Sequence, residues 1–193
     1  AQEQSYAASV RLLYQTIATP IGPMVGMVVV QNDLESLCLL EFDDRPILAQ
    51  EYAALTKAFG PEPEEGRAVL HDLVESQLQT YFAGTLTEFD IPLTTPGTDF
   101  QQRVWAALQD IPFGQTCAYG ELATRVGSSG GARAVGAANG ANRVAIVIPC
   151  HRVIDASGKL HGYGGGLARK QKLLALEGID IELPSCNTPL LFE

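Results

Sequence analysis

The sequence predicts an α+β protein, on three observations. Three short apolar or β-branched runs come first, at 12–18, 24–30 and 37–42, separated by Thr19-Pro20-Ile21-Gly22-Pro23 and Gln31-Asn32-Asp33, which read as turns of a small antiparallel meander. Val69, Leu70, Leu73, Val74, Leu78, Tyr81 and Phe82 then recur at three- and four-residue steps, the period of an amphipathic helix. Beyond them, short helical stretches alternate with Gly- and Pro-rich turns. With 193 residues, 46% of them hydrophobic, the chain can bury a sizeable core.

The elements follow in order. After Pro46 a helical stretch runs to about Phe59, and 60–66 is a polar loop with two prolines. The amphipathic helix ends before Gly84. The stretch 91–97 carries Pro92, Pro96 and Gly97, which places a domain boundary there: an N-terminal α/β domain at 1–92 and a C-terminal domain at 97–182. Thr98 and Gln101 form a capping-box pattern before Phe100, Val104, Trp105, Leu108 and Ile111, and Pro112-Phe113-Gly114 ends that helix. Two short helices at 119–126 and 132–139, joined by Gly127-Ser128-Ser129-Gly130-Gly131, have the outline of a helix-turn-helix. Simple packing of small-residue faces gives the same outline. Asp155-Ala156-Ser157-Gly158 reads as a turn, and a last helix spans 167–177.

The net charge of −9 argues against nucleic acid as a partner when the chain is taken whole. Residues 1–96, however, hold 14 acidic and 4 basic residues, whereas 97–180 hold 6 acidic and 9 basic ones. Arg125, Arg133, Arg143, Arg152, Lys159, Arg169, Lys170 and Lys172 supply that positive balance. No apolar run approaches the roughly 18 residues of a membrane span, and the N-terminus lacks a signal-peptide pattern, so no membrane partner and an intracellular, cytoplasmic location are expected. Cys38, Cys117, Cys150 and Cys186 show no CxxC pair, which suggests neither a disulfide framework nor a compact zinc site.

The chemistry concentrates at Pro149-Cys150-His151-Arg152-Val153, which closes the apolar run 144–148. Proline stops the run, so the following side chains are expected to leave the core at a turn. A thiol beside an imidazole suits a nucleophile, because the thiolate is the reactive form and needs a base or a positive charge to form near neutral pH. A hydrolase, a redox site or a buried structural thiol remain open on these residues alone. Adjacent residues of an extended chain point to opposite sides, so His151 needs a bridging water or a turn to reach Cys150. Gly162-Tyr163-Gly164-Gly165-Gly166 lacks the spacing of a phosphate loop; it reads as a tight turn before the last helix or a place of close approach to a flat ligand. Glu177 is either an exposed carboxylate or a group that orients an imidazole.

These residues resemble the O6-alkylguanine-DNA alkyltransferases, also called methylated-DNA–protein-cysteine methyltransferases. The match runs through Pro112-Phe113-Gly114, Tyr119, Arg133-Ala134-Val135-Gly136, Asn142, Ile148 to Val153, Gly162-Tyr163, Gly165-Gly166-Leu167 and Glu177, with Thr19-Pro20-Ile21-Gly22 a looser match in the first half. The resemblance implies a ribonuclease-H-like N-terminal domain and a mainly helical, winged-helix-like C-terminal one. It implies direct reversal of O6-alkylguanine, with O4-alkylthymine a lesser substrate, by irreversible transfer of the alkyl group to Cys150 in a single turnover.

By the same resemblance His151 deprotonates Cys150 through a water, Glu177 orients His151, Tyr119 donates toward the departing base and Asn142 braces the turn. Arg133 intercalates where the target base is flipped out of double-stranded DNA, and Ala134, Gly136, Ala137, Asn139 and Gly140 lie along the minor groove. Tyr163, Gly164, Gly165 and Lys170 line the base pocket. The implied protein is a monomer that needs no cofactor, and the first half lacks the Cys and His set of a zinc site. Two departures stand out: Arg143 replaces a common proline and is expected to loosen the turn, and Gly164 leaves only backbone to meet the base.

Overall fold

The computed structural model describes residues 9–183; Cys186 lies outside them. Its architecture is α+β, as the sequence predicts. Strands β1 (Val10–Ile17), β2 (Met24–Gln31) and β3 (Leu34–Phe42) form the antiparallel meander. The strand β3 starts three residues before the apolar run because Asn32 and Asp33 both take positive φ, 51° and 62°. Such a two-residue turn pairs Gln31 directly with Leu34. Helix α1 (Leu48–Phe59) covers one sheet face, where Leu12, Val25, Met27, Val29, Cys38, Leu39 and Leu55 cluster. Met24 and Val28 alternate to the other face and join the main core.

The loop at 60–66 holds an element that composition conceals. Glu64–Glu65 forms a short strand, β4, parallel to β1 in the sheet order β3-β2-β1-β4. Two glutamates have little strand propensity, but the open edge of β1 pairs with their backbone and Arg11 pairs with Glu64 at 2.8 Å. Helix α2 (Val69–Phe82) matches its predicted span. Its first amides are capped by the Glu35 carboxylate, which accepts from Leu70 N at 2.6 Å, and His71 is buried between Ala68 N and the carbonyl of Gly26.

The second half comprises α3 (Asp99–Gln109), β5 (Cys117–Ala118), α4 (Tyr119–Arg125), α5 (Ala132–Gly140), β6 (Val153–Ile154) and α6 (Leu167–Leu176). The capping box at α3 forms as read: Thr98 Oγ1 accepts from Gln101 N at 3.2 Å while Gln101 Oε1 accepts from Thr98 N at 2.9 Å. Trp105 packs α3 on α5 and donates to the carbonyl of Ala138 at 2.9 Å. One buried cluster runs from the inner sheet face through α2 to α3, α5 and the 144–148 run. That run hangs on β3, because Leu40 bonds both Arg143 O and Ala145 N at 2.8 Å. Arg143, expected to loosen this region, instead ties it down by pairing with Glu51 of α1 and donating to the carbonyl of Pro96.

Replacing Thr98 by Ala removes one side of the reciprocal cap and should lower unfolding stability by about 1 kcal/mol. A chemical denaturation midpoint equal to that of the unmodified protein would contradict this reading of the α3 start.

Candidate active site

The apolar run does not extend as a strand. Ile146 sits at φ +72°, a conformation that costs a β-branched residue roughly 1–3 kcal/mol and persists only where the surroundings impose it. Two tight turns impose it here: Val147 N bonds Ala145 O and Ile148 N bonds Val144 O, each at 2.9 Å. Asn142 spans the bend from inside. Its Oδ1 accepts from Val144 N at 3.0 Å, and its Nδ2 donates to Ile148 O at 2.8 Å and to Cys150 Sγ at 3.1 Å.

Cys150–Arg152 is a single 3₁₀ turn. The turn expected after Pro149 is there, but its side chains do not leave the core: Cys150 is 7% exposed, His151 0% and Arg152 6%. Pro149 ends the run by turning the chain inside the protein, with the backbone satisfied locally through Cys150 N to Ile148 O at 2.8 Å.

Glu177 is buried rather than exposed, and it gathers five donor contacts. Oε1 accepts from His151 Nε2 and Tyr81 Oη at 2.7 Å and from Arg152 Nη2 at 3.1 Å; Oε2 accepts from Arg152 Nε at 2.9 Å and Gly114 N at 3.3 Å. Burial alone would raise this carboxyl, but the His151 and Arg152 hydrogen bonds and charges outweigh it and bring it down to about 2. Burial lowers His151 despite Glu177, so the ring is neutral near pH 7. Its Nε2–H faces the carboxylate, which leaves Nδ1 bare as the basic nitrogen. Burial also pushes the Cys150 thiol up to about 11, with the Asn142 hydrogen bond opposing it. The free thiol is therefore a poor thiolate source by itself.

A cavity of about 130 Å³ opens onto Cys150. Tyr119, Gly136, Asn139, Asn142, Tyr163, Gly164 and Gly165 line it together with Glu41 and Arg45. Tyr119 Oη donates to His161 O at 3.1 Å. Three buried side-chain atoms lack a hydrogen-bond partner among the described residues, Asn139 Oδ1, His151 Nδ1 and Tyr163 Oη, and all belong to this region. Arg133, Ala134, Ala137 and Gly140 lie exposed on α5 and Gly136 is half-buried. Asn139, grouped with them on sequence, is buried and faces the cavity instead, because it falls one helical turn after Val135 on the inner side of α5.

Lys170 also departs from its expected place. It is fully buried and does not line the cavity; its Nζ donates to Val153 O, to His161 O at 2.9 Å and to Gly162 O at 3.1 Å. It thus holds the glycine-rich loop rather than forming the wall. Nor is Gly164 lined by backbone alone, since the Arg45 guanidinium lies against it. Glu41 and Arg45 escaped the sequence reading because they sit in the acidic first half, where a Glu and an Arg four residues apart look like an ordinary surface pair. Among the described residues no three His, Cys, Asp or Glu side chains converge as metal ligands would.

Residues 99–179 match the family model of the 6-O-methylguanine DNA methyltransferase, DNA binding domain. A methylated-DNA–protein-cysteine methyltransferase of Mycobacterium tuberculosis is 49% identical over 164 residues, 85% of this chain and 91% of the relative. The Shigella flexneri protein of the same name is 41% identical over 169 residues, 87% of this chain and 96% of its own. The chain belongs to the methylated-DNA–protein-cysteine methyltransferase family. The fold agrees: the crystal structure of Mycobacterium tuberculosis OGT in complex with DNA has a TM-score of 0.71 at 47% identity, covering 86% of this chain and 92% of that one. The family model's span holds Cys150, His151 and Glu177 but neither Tyr81 nor the Glu41–Arg45 pair, so part of the site's support lies outside it.

Replacing Glu177 by Gln strands the Arg152 charge in the core and should cost on the order of 3 kcal/mol in urea unfolding near neutral pH. The carboxylate's depressed pKa stabilises the fold fully above 4.5 and loses that effect as the pH falls toward about 2. The gap between unmodified and Glu177→Gln protein should therefore narrow over that interval; a constant gap would contradict the buried-anion reading. Alkylation of Cys150 by iodoacetamide should accelerate about tenfold per pH unit from neutral toward the thiol pKa of about 11. A rate already level at neutral pH would show a thiolate that this burial does not permit.

Proposed function

We propose that the protein repairs DNA by moving the alkyl group of O6-alkylguanine irreversibly onto Cys150. The observation that carries this reading is a buried thiol at the end of a small cavity, one residue from an imidazole whose Nε2 is committed to Glu177 and whose Nδ1 is bare. In the step proposed, Sγ attacks the alkyl carbon, the S–C bond forms and the C–O6 bond breaks. The thiol proton passes to His151 Nδ1 through a water. The guanine departs with the bonding electrons and takes up a proton, with Tyr119 Oη donating at the base edge as charge develops. The product thioether has no leaving group that water can displace under mild conditions. Each molecule therefore acts once.

A target base stacked in a duplex cannot enter a cavity this narrow, so the proposal includes base flipping, at a cost of a few kcal/mol. Arg133 is exposed at the start of α5, where its long side chain can fill the gap, and Ala134, Ala137 and Gly140 give α5 a face without bulk suited to close approach along a minor groove. The DNA complex of the Mycobacterium tuberculosis relative supports DNA as the partner, and the scheme takes it as double-stranded. O4-alkylthymine is a secondary substrate in this scheme, sharing an alkyl carbon on a ring oxygen. All the side chains named come from one chain, so a monomer suffices, and cytoplasmic DNA is the proposed place of action. The division at 1–92 and 97–182 is likewise proposed, supported by the start of the family match at residue 99.

Incubation with a duplex containing O6-methylguanine should add a methylene increment of about 14 Da to the peptide holding Cys150, in amounts never exceeding one per protein. Label on another residue, or repair without label, would refute the assignment. Cys150→Ser should retain DNA affinity within about twofold and lose transfer, because a hydroxyl is a far weaker nucleophile. Transfer by this variant at the unmodified rate would assign the chemistry elsewhere.

A further inference from the structure

The Glu41–Arg45 pair lies outside the family model's match and reaches the cavity from the other half of the chain. Glu41 is 3% exposed near the end of β3. Its Oε1 accepts from Phe42 N at 2.9 Å and its Oε2 pairs with Arg45 Nη1. A buried carboxylate is costly unless paired, so it holds the Arg45 guanidinium in one place. That place is against the backbone of Gly164: a Cβ built there would come within 2.6 Å of Arg45 Cζ and both terminal nitrogens. Next to it, a Cβ on Gly165 would meet the Phe42 ring at 2.8 Å. The two glycines thus let the β3 end press flat on the loop that carries Tyr163.

Among the walls of the cavity, Arg45 differs in how it can move. The glycines and Ala145 have no side chain that could swing aside, while Asn139 and Asn142 are buried. Tyr119 is tied to His161 O, Tyr163 is a short, rigid ring whose Oη is buried, and Glu41 is held by Phe42 N. Arg45 remains 20% exposed in its side chain, a long chain with one end in the cavity wall and a path to solvent. At about 130 Å³ the cavity is smaller than the 300 Å³ or so at which drug-sized pockets begin.

We propose that Arg45, anchored by Glu41, is a specificity-determining residue that limits the size of the alkyl group able to reach Cys150. This rests on the transfer reading above. Bulk at Arg45, rather than its charge, is the limiting property, since the guanidinium fills the volume beside Gly164.

The test measures single-turnover transfer to Cys150 from duplexes holding O6-methylguanine and O6-benzylguanine and takes the ratio of the two rate constants. Each variant also carries Glu41→Gln, so that no unpaired carboxylate remains beside the thiol, and is compared with the unmodified protein, in which Glu41 holds Arg45 in place. Arg45→Ala should raise the benzyl-to-methyl ratio on the order of tenfold over the unmodified protein, the scale by which pocket volume discriminates. Arg45→Tyr, which reaches about as far as arginine and carries no charge, should leave the ratio within about twofold of the unmodified protein. An unchanged ratio in Arg45→Ala, or an equal rise in Arg45→Tyr, overturns the proposal. Should Arg45→Ala melt below the assay temperature, Arg45→Gln is judged by the same ratio, with a smaller rise expected and no rise overturning it. Failure of the unmodified protein to transfer methyl would instead refute the functional reading, which the methyl arm alone decides.

Discussion

Everything at the reactive centre leans on one buried carboxylate. Glu177 caps α6 and draws donors from α2, from the turn after α3 and from the 3₁₀ turn that carries the thiol. A buried anion is tolerated only when its lone pairs are satisfied and its charge is met. Arg152 meets the charge, Tyr81 and Gly114 fill the remaining positions, and His151 is held in one tautomer. The same contacts therefore fasten the two halves of the chain together and leave His151 Nδ1 bare. Arg152 in turn donates to the carbonyl of Ile111, so the end of the α3 segment is fixed by the same arrangement.

The second constraint is conformational. The apolar run 144–148 begins as a bridge to β3 and then folds back through Ile146 at positive φ. Asn142 makes this affordable by bonding both sides of the bend and the sulfur itself. The result is a thiol whose pKa burial raises, next in sequence to a ring with a bare imidazole nitrogen and open to a cavity of about 130 Å³. A cysteine that stays protonated until a substrate arrives is protected from wasteful alkylation and oxidation. That protection suits the single use proposed for Cys150.

Much of this was legible in the sequence, for local reasons. The α2 stripe, the Thr98–Gln101 cap and the Gly-rich joint between α4 and α5 are short-range patterns, and each appears where it was read. Cys150 and His151 stand out by their placement, whereas Asn142 joins them, and Glu177 takes a definite role, only through the family resemblance; their burial is not legible, because a proline after an apolar run looks the same whether the chain turns outward or inward. The short strand at Glu64–Glu65 depends on the open edge of β1, and the place of Asn139 depends on which side of α5 meets the core; neither is a property of the local sequence. Glu41 and Arg45 were missed for the opposite reason, since a common surface pattern became buried only when the glycine loop came to rest on it. Arg143 shows tertiary context reversing a local expectation, as its side chain replaces a proline's stiffness with contacts to Glu51 and Pro96.

The central claim is that Glu177 holds His151 neutral with the proton on Nε2, leaving Nδ1 as the base for Cys150. Nitrogen-15 chemical shifts of the His151 ring in labelled, unreacted protein report this directly. The account predicts a neutral Nε2–H tautomer at pH 7, with ring protonation only at a pH below the ordinary value of 6.5. An imidazolium at pH 7, or a ring carrying its proton on Nδ1, would contradict it.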